Sequence, residues 1–80
     1  MTLYEYYIVF PEGEMQETGG PLPIGELIDI NGTILHQPLP TNKMIAYQIA
    51  GKRTLEERGT VKTVYILSQL NAQELTAYTV

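Results

Sequence analysis

The chain reads as an all-β domain of about five antiparallel strands with one short C-terminal helix, arranged as a meander or a partly open small barrel. Three observations predict this. Asn31-Gly32 sits between two apolar runs, 26–30 and 33–37, and Asn-Gly supplies the positive φ that both central residues of a type I′ hairpin turn require. The opening, residues 3–10 (Leu-Tyr-Glu-Tyr-Tyr-Ile-Val-Phe), is dense in aromatic and β-branched side chains. Residues 43–55 and 60–70 form a longer pair of the same kind, split by a short glycine-containing stretch.

Each element follows from its local chemistry. In 3–10, Tyr4, Tyr6, Ile8 and Phe10 share one face and Leu3, Glu5, Tyr7 and Val9 the other. Both faces are largely apolar, as expected of a central strand. Pro11 ends it, because proline cannot donate to a ladder. Residues 11–25 carry Gly19-Gly20-Pro21 and Pro23, which forbid a long helix or central strand and leave room for a short strand over 14–17.

A two-residue turn at Asn31-Gly32 pairs Ile30 with Thr33 and Ile28 with Leu35. Ile28, Ile30 and Leu35 then share the core face, and Leu27, Asp29, Ile34 and His36 the other. For the long pair, a three-residue loop Glu57-Arg58-Gly59 with Gly59 left-handed places Leu55 opposite Val61, Gly51 opposite Tyr65 and Ile49 opposite Leu67. That register gathers the apolar side chains on one face, which a two-residue loop does not. At the C-terminus, Asn71 and Glu74 have the spacing of a capping box opening a helix over 72–78. Leu70 precedes the cap as a hydrophobic staple, and Leu75 is placed to dock on the sheet.

Composition bounds the class. Eighty residues make one domain, which buries roughly 60% of its unfolded surface. There is no cysteine, so neither disulfide nor thiolate metal site supports the core. With 44% hydrophobic and 18% charged residues the chain is globular, and self-association is an expected route to further burial. No run approaches the ~20 apolar residues of a membrane helix, and the opening Met1-Thr2-Leu3-Tyr4-Glu5 lacks a basic n-region. A cytoplasmic location without membrane contact is the expectation. Charge is uneven: residues 1–42 carry six acidic and no basic side chains, and all five basic residues (Lys43, Lys52, Arg53, Arg58, Lys62) follow within 43–62.

The motifs give chemistry little purchase. One histidine without cysteine cannot build a zinc site, and Glu12, Glu14 and Glu17 lack the ordered spacing of a calcium loop, so no cofactor is expected. His36 lies diagonally across the expected hairpin from Asp29, with no nucleophile elbow to complete an active site; a surface cross-strand pair suffices. The glycines match neither phosphate-loop fingerprint. Asn31-Gly32-Thr33 is formally a glycosylation sequon, but its turn role explains it.

Two surfaces remain. Tyr4, Tyr6, Tyr7 and Phe10 form the richest aromatic cluster, and tyrosine suits protein interfaces because its ring buries area while its hydroxyl stays paired. This points to a non-catalytic interaction module with a protein partner or a second copy. The alternative is a single-strand nucleic-acid binder using Lys43, Lys52, Arg53, Arg58 and Lys62 as a groove, against which stands an acidic pI near 4.7.

In size, in its Tyr-rich opening at 3–10 and in its Asn31-Gly32 hairpin, the chain resembles the YtmB-like proteins, a small uncharacterised bacterial family. The resemblance is one of general layout over most of the chain. That family has no established activity, so it implies no site residues.

Overall fold

A computed structural model describes residues 1–79. Five strands, β1 (Leu3–Val9), β2 (Met15–Thr18), β3 (Leu27–Ile28), β4 (Ala46–Glu57) and β5 (Thr60–Leu70), form one sheet in the order β2-β1-β5-β4-β3. The sheet curls into a half-barrel, and a short helix, α1 (Ala72–Leu75), runs on into a 3₁₀ turn over Thr76–Tyr78. The all-β class with its C-terminal helix is thus as the sequence predicts.

One pairing departs from the all-antiparallel expectation: β1 runs parallel to β5, from Leu3 beside Thr60 to Val9 beside Ile66. The β1–β2 hairpin and the β3-β4-β5 meander are each built by local turns. They join through β1 and β5, and no turn dictates the direction of that join. Its apolar faces on both sides place β1 inside the sheet, between β2 and β5.

The two glycine turns exchange the roles expected of them. At Asn31-Gly32 the loop has three residues, not two. Gly32 N–H donates to the Asp29 carbonyl (3.0 Å), Asp29 N–H donates to the Thr33 carbonyl (3.0 Å), and of the loop residues only Gly32 has positive φ (+83°). Asp29 decides this, because its Oδ1 accepts from the N–H groups of both Asn31 and Thr33 at 2.9 Å. The register moves by one, so Ile28 faces Ile34 and Ile30 is left 56% exposed instead of in the core. The segment after the turn makes only that isolated bridge instead of a strand.

At the β4–β5 tip the loop has two residues, not three: Glu57 pairs with Thr60, and Arg58 (φ +41°) and Gly59 (φ +84°) adopt the doubly positive pattern of a type I′ turn. The outer half of the hairpin therefore sits one residue from the expected register, with Leu55 opposite Lys62 and Gly51 opposite Ile66. A bulge between Ile49 and Gly51 then restores the expected Ile49–Leu67 pair. β4 begins at Ala46, three residues later than expected.

Two apolar clusters pack on opposite faces of the sheet. On the inner face Ile8, Phe10, Ile28, Tyr47, Ile49, Tyr65 and Leu67 are buried, with the Phe10 and Tyr47 rings edge-to-face at 5.0 Å. The 19–26 connection crosses this face, where Leu22 N–H donates to the Tyr65 hydroxyl (3.0 Å). On the outer face Leu27, Leu39, Ala46, Leu70 and Leu75 are buried. The capping box forms as the sequence predicts: Glu74 N–H donates to Asn71 Oδ1 (2.8 Å) and Asn71 N–H donates to Glu74 Oε1 (2.9 Å). Leu70 and Leu75 share the outer cluster, so the staple holds α1 on the sheet.

Candidate functional site

The helix covers only one end of the outer face. Beyond Leu70 the alternation of β5 keeps Ser68, Ile66, Val64 and Lys62 on that face, while Leu67 and Tyr65 point into the inner core. Residues directly opposite across a ladder share a face, so the pairings define rows running from β2 to β4. One row reads Met15–Val9–Ile66–Gly51, and the next Glu17–Tyr7–Val64–Arg53. The third reads Glu5–Lys62–Leu55. The centre of this surface is apolar, and Met15 (53%), Leu55 (56%) and Ile66 (36%) remain accessible. A Cβ added at Gly51 would meet nothing within 4 Å, so that corner is open space.

Within this surface Tyr7 donates its hydroxyl hydrogen to Glu5 Oε1 at 2.9 Å. That bond, then partial burial, then the negative charges of Glu5 and Glu17, hold the phenol above its ordinary range. The ring is free to be covered without orphaning its hydroxyl.

The four aromatic residues are divided between faces. Phe10 is buried and Tyr6 packs against the inner core; Tyr4 lies at the uncovered end of the inner face, 64% exposed; Tyr7 alone is on the outer face. The five basic residues do not line one groove. Lys52 and Arg53 are neighbours on β4 and project to opposite faces, Lys62 shares Arg53's face, and Arg58 caps the hairpin tip. Lys43 precedes the far end of a twelve-residue strand about 36 Å long. The residues that carry the outer surface beyond Tyr7, Arg53 and Lys62 (Glu17, Val64, Ile66 and Gly51) belong to strands recognisable in sequence. Their convergence depends on the parallel β1–β5 join.

His36 is exposed, and Asp29 Oδ1 is taken up by its own turn, so the diagonal pair does not assemble. Glu12 and Glu14 line, with Phe10 and Ile30, a cleft of about 280 Å³ between the turn over 11–13 and the 29–33 loop. Among the described residues no group of three or more His, Cys, Asp or Glu side chains is placed to hold a metal ion. No helix among them is long and apolar enough to cross a membrane.

Fold and surface together define a small half-barrel domain with an amphipathic outer sheet face left open beyond its helix. The chain belongs to the family described as uncharacterised Treponema protein, whose model matches residues 2–78. This match replaces the resemblance to YtmB-like proteins, which rested on general layout; a Tyr-rich strand and an Asn-Gly turn recur wherever small sheets form. No curated protein and no solved structure matches the chain.

Proposed function

We propose that this protein is a small, non-catalytic protein-interaction module of the cytoplasm, that its working surface is the open part of the outer sheet face, and that it self-associates through it. The reading is carried by one observation: Met15, Leu55 and Ile66 stay accessible on a face that is apolar at its centre, whereas the rest of that face is closed by α1 and Leu39. Contiguous apolar surface rimmed by charge is the usual mark of a protein interface. The nucleic-acid alternative needs Lys43, Lys52, Arg53, Arg58 and Lys62 in one groove, and it is less well supported because Lys52 projects away from the face that Arg53 and Lys62 share.

Light scattering over a concentration series tests this. The expected result is a mass rising from 9.0 kDa toward twice that value, with the rise suppressed in Ile66→Asp. A mass fixed at 9.0 kDa up to the solubility limit overturns self-association.

A further inference from the structure

The rows of the outer face are arranged so that the surface complements itself. Across the three rows from Met15 to Leu55, the β2 and β1 side is acidic (Glu17, Glu5) and the β5 and β4 side basic (Lys62, Arg53), with Tyr7, Val9, Val64 and Ile66 between; Glu57 lies beyond them at the hairpin tip, opposite no residue of β2. We propose that two copies pack face to face about a two-fold axis parallel to the strands and midway between β1 and β5, resting on the self-association reading above. That rotation reverses the strand order while keeping each row at its own level. Glu17 of one copy then lies over Arg53 of the other, Glu5 over Lys62, Tyr7 over Val64 and Val9 over Ile66. Met15, exposed on β2, lies over Gly51, where there is open space for it.

Both copies make every contact, as a closed two-fold interface requires. The other face-to-face two-fold, perpendicular to the strands, stacks acidic β2 on acidic β2 and Arg53 on its equivalent. Charge therefore selects the first arrangement. The outer face of a half-barrel is convex, so the pairs on β1 and β5 nearest the axis approach closest, at about the 10 Å of packed sheets, and Glu17 and Arg53 on the flanking strands meet through their long side chains at the rim. Four strands at about 4.8 Å spacing and rows spanning about 20 Å give a footprint on the order of 400 Å² per copy before side-chain relief. The total of about 800 Å² is below what a stable specific interface buries and implies a weak, transient, concentration-dependent dimer.

The test is charge reversal at two exposed positions, Glu17→Arg and Arg53→Glu, with sedimentation equilibrium as the readout and circular dichroism as the folding control. Each variant alone places like charges together twice per dimer and is expected to weaken association about tenfold at low salt. An equimolar mixture of the two restores both opposite-charge pairs and is expected to dimerise as the unaltered chain does. An unaltered chain that dimerises but ignores both reversals overturns this interface and leaves self-association standing. Weakening without rescue in the mixture overturns the reciprocal pairing. A monomeric unaltered chain overturns both the interface and the reading beneath it.

Discussion

Gln16 Nε2 donates to the Asn31 carbonyl at 2.9 Å, tying the 29–33 loop to the edge strand β2. The contact brings Gly32 down on β1 and β2. A Cβ at that position would stand 2.9 Å from Gln16 Nε2 and 3.2 Å from Ile8 Cδ1, on a backbone with φ of +83°. Gly32 is therefore constrained both by its left-handed conformation and by what lies beneath it.

Gly32→Ala is expected to cost about 1–2 kcal/mol for the conformation alone, a fall of several degrees in the thermal midpoint of a domain this size. Asn31→Ala is expected to cost under about 0.5 kcal/mol, because Asn31 offers the loop only its backbone groups. Thermal melts of the two variants check this. A comparable loss from both would mean that Asn31 also depends on a left-handed backbone, as a type I′ turn demands.

The helix offers a second test. Leu75 is fully buried in the outer cluster beside Leu70, and α1 has only four residues, too few to persist without docking. Leu75→Ala should cost about 2–4 kcal/mol and Asn71→Ala about 1 kcal/mol, measured by urea denaturation. If the two cost the same, the helix is held by its cap and not by the sheet.

The strands were legible because their evidence is local. Alternation and β-branched content locate β1, β5 and most of β4, and an Asn-x-x-Glu spacing locates the helix start. Turn geometry was less so, since each glycine turn has a competitor that the dipeptide alone does not reveal. Asp29 captures the amides of Asn31 and Thr33 and lengthens one loop, while the Gly51 bulge lets Arg58-Gly59 close a tighter one without moving Ile49 from Leu67. Least legible was the parallel β1–β5 join, a contact between residues nearly sixty apart. The candidate surface depends on that join, because Tyr7 and Arg53 stand far apart in the sequence and only the pairing of β1 with β5 sets them in one row.

The Tyr7–Glu5 bond makes stability depend on pH at the alkaline end. The folded phenol titrates above its ordinary range near 10, chiefly because it donates to the Glu5 carboxylate, so folding favours the neutral form. Its contribution is complete below the pKa of an unfolded tyrosine and is lost as pH rises through the higher folded value, when the phenolate and carboxylate repel. Denaturation midpoints taken at about pH 8 and about pH 11 should therefore fall further in the unaltered chain than in Tyr7→Phe, which has no proton to lose at that position. Equal losses in the two chains would place the alkaline sensitivity elsewhere.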